Sequence, residues 1–166
     1  MKVGIALVTA AAGAVLLAGA ATASALPNPY EPVPVDPNQY LVGDTAYFDL
    51  GDGTECAIYP TGNVGCAFPQ PIALTITGSP VRPMVTNLVI DVPWLPAHPE
   101  PGFTGRSGSR QLGVPVTDAN GNTIGWRGAE ISYAGASCGN GGERGGWGCS
   151  SKGHHFGGGN GYYSAN

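Results

Sequence analysis

Residues 84–92, "MVTNLVIDV", form the longest stretch after residue 25 that contains neither glycine nor proline. Proline interrupts helix interiors and glycine weakens them, so a chain divided this often leaves no room for a helix of ordinary length. The stretch itself is rich in β-branched residues, and Leu88, Val89 and Ile90 follow one another, which is typical of a strand covered on both faces. The sequence therefore predicts an all-β chain.

Shorter stretches on either side alternate in hydrophobicity with the two-residue period of a strand. The predicted inward-facing sets are Ala46, Phe48 and Leu50; Ile72, Leu74 and Ile76; Leu112, Val114 and Val116; and Ala129, Ile131 and Tyr133. Pro115 cannot donate to a ladder, so its strand is predicted at an edge. Asn120-Gly121 is a strong hairpin signal. We expect a small antiparallel sandwich or partly open barrel built from hairpins, with no regular helix after residue 25.

Residues 1–25 have the features of a secretory signal peptide, with Lys2 near the start, an apolar run, and a small-residue end that predicts cleavage after Ala25. No later segment is apolar enough to span a bilayer. Residues 26–43 are rich in proline and are predicted to form an extended, mobile arm. Residues 44–166 are predicted to be one β-domain with a glycine-rich, disulfide-joined C-terminal part. The product is expected to be secreted, and its retention in the cell wall is left open.

The charge of the chain excludes one class of partner. One of the seven Lys and Arg residues lies in the predicted signal peptide, which leaves six against eleven Asp and Glu residues. The six cations are scattered and form no basic stripe, so the electrostatic footprint of a nucleic-acid-binding protein is missing. The expected partner is a ligand of the cell envelope or the extracellular space.

Four cysteines follow the signal peptide, and an even number in a secreted chain predicts disulfides. Cys56 and Cys66 flank a predicted turn, and Cys138 and Cys149 flank a run of glycines. The predicted pairs are therefore Cys56–Cys66 and Cys138–Cys149. In the chain-entropy model each bridge stabilises the fold by about 3 kcal/mol.

The stretch 135–156 also contains residue types that occur in active sites. A formal G-x-S-x-G spans residues 135–139, but that motif needs a strand-to-helix turn, and no helix fits here. A free Cys149 beside His154 or His155 would make a thiol nucleophile of a small cell-wall enzyme. A bridged Cys149 is the preferred interpretation. Adjacent histidines lack the spacing of structural zinc ligands. No catalytic residue, metal or cofactor is predicted.

Exposed aromatic side chains are the candidate interaction surface, since such residues are common at interfaces. Trp94 and Phe103 lie in a proline-rich loop, although a Trp94 that simply covers the sheet is the preferred interpretation of that loop. The other candidates, all near the C-terminal end of the sequence, are His154, His155, Tyr162 and Tyr163.

Two passages carry a family resemblance: "FDLGDGTECAIYPTGNVGC" (48–66) and "GWGCSSKGHHFGGGNGYY" (146–163). An aromatic strand, a glycine turn, a cysteine pair and a later Gly-His-x-Phe passage resemble small, uncharacterised secreted proteins of actinobacteria such as mycobacteria, nocardiae and rhodococci. The passage "LGDGTEC" departs from the turn of many members, which implies a divergent branch. The resemblance implies secretion and disulfides and supplies no catalytic residue.

These observations favour a secreted, non-enzymatic binding domain of unknown ligand over an enzyme. Two alternatives stay open at this point. One is the small cell-wall enzyme with a Cys/His centre, and the other is a secreted inhibitor of proteases or lysozyme, which would also suit a disulfide-joined β scaffold.

Overall fold

The computed structural model describes residues 31–142 and 145–166. The predicted signal peptide and the first five residues of the predicted arm lie outside this part. The described residues form thirteen strands: β1 Val33–Val35, β2 Leu41–Val42, β3 Thr45–Asp49, β4 Glu55–Ile58, β5 Val64–Ile76, β6 Met84–Ile90, β7 Val114–Thr117, β8 Thr123–Arg127, β9 Ala129–Tyr133, β10 Ala136–Asn140, β11 Trp147–Ser151, β12 His154–Gly159 and β13 Tyr162–Ala165.

The prediction of an all-β chain is confirmed. One short 3-10 turn, Pro37–Gln39, lies among the strands, and no α-helix occurs over the described ranges. Nothing in these ranges is a helix with the length and apolar character that a membrane crossing requires.

Strand β5 is thirteen residues long and belongs to both halves of the sheet. Its first residues pair with β4, its last residues pair with β13, and β6 follows its other edge. The register with β6 shifts between Ala67 and Ile72, where Pro69 and Pro71 have no N–H to donate. This irregular middle separates the two ends of β5, so the sheet can curl into a half-barrel.

The sheet runs in the order β1-β9-β10-β11-β12-β13-β5-β4-β3-β2, with β7 and β8 as a separate two-stranded ribbon. Most neighbours are antiparallel hairpins, as predicted. Two pairs are parallel, β1 with β9 and β13 with β5, so the sheet is mixed rather than wholly antiparallel. Both parallel pairs join strands that are distant in the sequence.

The core lies between the layer formed by β3–β6 and the layer formed by β9–β13. Its largest fully buried side chains are Phe48, Phe156, Ile58, Leu74, Leu88, Ile90, Leu112 and Ile131. The predicted alternation is confirmed in β3, β5 and β9, and Leu88, Val89 and Ile90 are all buried. The prediction for β7 is wrong at Val116, which is 44% exposed because β7 pairs only with β8 and its contact with the core ends at the half-buried Val114.

The described part of the predicted arm is packed against the domain, where we expected a mobile segment. Val33–Val35 forms β1 along β9, and Tyr40 is buried with its ring 6.4 Å from that of Phe48. The segment pairs along the edge of β9 and adds an aromatic ring to the core.

Both predicted disulfides are present. Cys56 and Cys66 are directly opposite each other in the β4–β5 pair, and Cys138 and Cys149 are directly opposite in the β10–β11 pair. Each bridge therefore staples one hairpin.

Candidate ligand-binding face

The outer face of strands β9–β13 carries a row of glycines. Because side chains alternate along a strand, and Cys138, Cys149 and Phe156 point into the core, the residues beside them face outward. Three of these outward positions are Gly139 in β10, Gly148 in β11 and Gly157 in β12, and each is paired directly with the next. We call Gly139, Gly148 and Gly157 the glycine row.

Polar side chains border the glycine row, and we call the row together with these side chains the strip. Glu130 of β9 pairs with Gly139 at one end, and Ser164 of β13 pairs with Gly157 at the other. Along one side run Ser137, Ser150 and His155, which are in register across β10, β11 and β12.

The depression formed in this way is open and has a volume of about 950 Å³. The hydroxyl oxygens of Ser137 and Ser150 lie 3.0 Å apart in a hydrogen bond. Tyr162 also lines the depression, and its side chain is 75% exposed. The face thus combines a flat surface of strand backbone at the glycine row, which we call the floor, with hydroxyl groups along one side and one exposed aromatic ring.

Packing within the protein requires only one of the three glycines in the row. A Cβ at Gly157 would collide with the carbonyl oxygen of Trp147 and lie 2.9 Å from Cα of Gly148. At Gly139 and Gly148 the nearest atoms to an added Cβ are 3.3 and 3.4 Å away, so a methyl group needs only a small adjustment. Neither has a positive φ.

Glycine inside a strand weakens it by roughly 0.5–1 kcal/mol relative to alanine. A strand glycine without a structural reason often marks a place where a ligand or another chain approaches the backbone closely. Gly148 meets this description, since neither a turn nor internal packing explains it. Gly139 meets it apart from one approach of 3.3 Å between an added Cβ and the carbonyl oxygen of Ala129.

Beneath the face, an aromatic cluster supports the floor. Trp147 lies 5.8 Å from Phe68, 6.1 Å from Phe156 and 6.3 Å from Tyr163, measured between ring centroids. Tyr163 is half-buried in this cluster, so of the two predicted tyrosines Tyr162 is the one that faces outward.

The remaining predicted interaction residues lie elsewhere. Trp94 is 79% exposed, so the interpretation in which it covers the sheet is wrong. Its loop is held at Pro93, whose carbonyl oxygen lies 3.1 Å from Nε2 of His154. Of the adjacent histidines, His155 lines the outer face and His154 binds the loop.

Phe103 belongs to a second depression of about 420 Å³. Its ring lies over Gly65 of β5, where an added Cβ would be only 2.7 Å from it. Tyr59 lines the same depression, and burial raises the pKa of its phenol, with further contributions from Tyr47 and Glu100. The predicted interaction residues therefore divide among three separate places.

Cys149 carries no thiol in this structure, because it is bonded to Cys138 and both residues are buried. The sulfur atoms of Cys56, Cys66 and Cys149 lie within 4.8 Å of one another. All three belong to disulfides, so this cluster is a contact between two bridges and offers no thiolate ligand.

Sequence reasoning missed the glycine row and its two flanking serines. The sequence does hold one signal, because positions 139, 148 and 157 are nine residues apart. In a meander with tight turns such a spacing can bring residues into register, but only the observed pairing shows which glycines meet.

No protein-family model, no curated protein and no solved structure matches this chain. The outer face itself is therefore the basis for a functional proposal.

Proposed function

We propose that the chain is a secreted, non-enzymatic β-domain that binds a ligand of the cell envelope or the extracellular space through the outer face of β9–β13. The glycine row is the observation that carries this proposal. Gly148 weakens its strand although neither a turn nor tight packing requires it, and Gly139 does so with only one tight approach, to the carbonyl oxygen of Ala129. A ligand that lies directly on the backbone accounts for both glycines.

Secretion is supported by two independent features. The first 25 residues have the composition and cleavage pattern of a signal peptide. The two disulfides are of a kind that forms and persists in oxidising compartments. The resemblance to secreted actinobacterial proteins agrees with an envelope or extracellular location.

A binding role is preferred to the Cys/His enzyme because the nucleophile that the enzyme needs is absent from the oxidised chain. Cys149 is committed to the bridge with Cys138, and Nε2 of His154 contacts the carbonyl oxygen of Pro93. The outer face is also shallow and open, whereas catalytic sites are usually concave and largely enclosed. No observation favours the inhibitor alternative.

Co-sedimentation with isolated cell envelopes tests the proposal. The probe is the oxidised chain of residues 26–166, compared with Gly148→Val, which puts a side chain on the floor. Ser132→Val is the matched control, because Ser132 faces outward from β9 but lies outside the depression. We expect the parent and Ser132→Val to sediment with envelopes and Gly148→Val to stay in solution. Equal behaviour of all three, or no sedimentation of the parent, would overturn the proposal.

A further inference from the structure

We infer that the ligand of the outer face is an uncharged polysaccharide whose sugar rings lie flat on the glycine row. This inference rests on the proposed function and names the chemical class of its ligand. Four properties of the face lead to it: the state of its backbone groups, its flatness, the type of its polar groups and its charge.

The backbone of the floor has no free hydrogen-bonding groups to offer an extended peptide. Strands β10, β11 and β12 each pair on both sides, so their N–H and C=O groups are used in the ladders. A peptide that recognises a sheet by adding a strand needs an open edge. The floor offers only Cα–H groups and flat peptide planes, which suit van der Waals contact with a flat, C–H-rich surface.

A pyranose ring has such a surface, since its axial C–H groups make one face apolar while its hydroxyls project around the rim. Glycine allows this ring to approach the sheet closely, and the exposed ring of Tyr162 provides a second platform of similar shape beside it. From β9 to β13 the strip crosses four strand spacings, or about 19 Å. A strip of this length accommodates several linked sugar rings.

The groups along the side of the strip match the hydroxyls of a sugar. Ser137 and Ser150 are each donor and acceptor, and His155 adds two polar ring nitrogens beside them. Sugar hydroxyls also act in both directions, so they can join the existing Ser137–Ser150 hydrogen bond without leaving a group unpaired.

The fixed charges of the strip cancel, which suits a neutral ligand. Among its described lining residues, fixed charges come from Glu130 and Arg82, of opposite sign. Glu130 is in β9, at one end of the strip, and Arg82 lies in the loop after β5, the strand that follows β13 in the sheet order. A phosphate-rich polymer needs several cations in a row to hold it, and a cationic peptide needs several carboxylates. The strip supplies neither.

Binding to defined neutral saccharides tests this inference. The probes are cello-oligosaccharides and chito-oligosaccharides, followed by calorimetry and by chemical-shift changes of the oxidised chain. We expect at least one probe to bind and to shift the amide signals of Gly139 and Gly148. We expect Tyr162→Ala to weaken binding by about tenfold, the upper range for one aromatic contact, and Gly148→Val to abolish it, whereas Ser132→Val binds as the parent does.

Folding of each variant is checked by its circular dichroism and thermal midpoint. Tyr162→Ala serves as the decisive variant if Gly148→Val does not fold, because the exposed Tyr162 side chain makes little contribution to the core. Binding that is unchanged in Tyr162→Ala, or absent for every neutral saccharide, overturns the inference.

Protease treatment of the envelopes separates the failure of this inference from the failure of the proposed function. If sedimentation depends on Gly148 and is lost after protease treatment, the binding function holds, the ligand is a protein, and the polysaccharide inference is wrong. If the parent binds neither envelopes nor saccharides, both fail.

Discussion

The sulfur of Cys66 lies 3.7 Å from the sulfur of Cys149, so the two disulfides touch in the middle of the core. Cys66 is in β5 and Cys149 is in β11, and these strands belong to opposite layers of the half-barrel. Each bridge links two neighbouring strands of one layer, and the contact between the bridges joins the layers.

Removal of the bridges is therefore expected to be non-additive. Replacing either cysteine pair with alanine should lower the free energy of unfolding by about 3 kcal/mol. Removing both pairs should cost less than the sum by roughly 0.5–3 kcal/mol, because the second removal no longer breaks the contact between them. Urea unfolding of the parent, both double variants and the quadruple variant measures this. Costs that add within about 0.3 kcal/mol would show that the contact contributes nothing.

Asn140 is expected to be the most sensitive buried polar residue. Its side-chain amide donates to the carbonyl oxygens of Leu50 and Leu112, and its Oδ1 accepts from the N–H of Ala129. Asn140→Ala leaves these groups without partners and should lower the free energy of unfolding by about 2 kcal/mol or more. Asn140→Asp keeps the shape but loses both donors, so at neutral pH it should not restore the stability. Urea unfolding of both variants checks this, and a fully stable Asn140→Asp would contradict it.

Two glycines of the glycine row should respond differently to alanine. Gly157→Ala forces a methyl group against Trp147 and Gly148 and should cost about 1–3 kcal/mol of stability. Gly148→Ala has room for the methyl and should be neutral or stabilising by up to about 1 kcal/mol. Parallel urea titrations compare the two. Similar losses in both variants would mean that packing requires Gly148 as well, and the functional reason for it would disappear.

The turn between β7 and β8 should weaken in acid. The carboxylate of Asp118 accepts hydrogen bonds from the side-chain amide and the N–H of Asn122 and from the N–H of Asn120. The Asn122 side chain is the main cause of a pKa of Asp118 below its ordinary value of 3.8. The stabilising contribution is therefore present above pH 3.8 and is lost as the pH falls through the lower pKa of the folded state.

NMR titration of the Asp118 carboxyl carbon and of the Asn122 amide measures this effect. Asp118→Ala is the control, because its Asn122 amide should show no transition in the same pH window. A carboxyl group that titrates at or above its ordinary value would contradict the prediction.

The parts of the fold that could be predicted from sequence are those that depend on neighbours along the chain. The alternation in β3, β5 and β9 is local, and so are the turns that bring each cysteine beside its partner. The pairing of β13 with β5 is different, since Tyr163 meets Leu74 across a long separation that no local pattern encodes. The burial of Tyr40 was missed for the same reason, because it depends on a core formed by distant strands.

The candidate site was only partly predictable. Tyr162 and His155 could be proposed as interaction residues from the sequence, because the residue types themselves, aromatic and histidine, were the criterion. Gly139 and Gly148 could not, because a glycine in a glycine-rich chain is usually explained by a turn. The inference that these two glycines face a ligand depends on their register, on the absence of a positive φ and on the space above them, which are all properties of the folded chain.

The sharing of β5 by both halves of the sheet has a kinetic consequence. The first residues of β5 complete the meander of β3, β4 and β5, and its last residues pair with β13, so the β9–β13 half cannot cover its last strand without β5. We expect a single cooperative refolding phase in the millisecond-to-second range with the disulfides intact, since the slow step is the closure of the long loop between Leu74 and Tyr163. Stopped-flow tryptophan fluorescence would reveal it, and early protection of one meander from hydrogen exchange would disprove it.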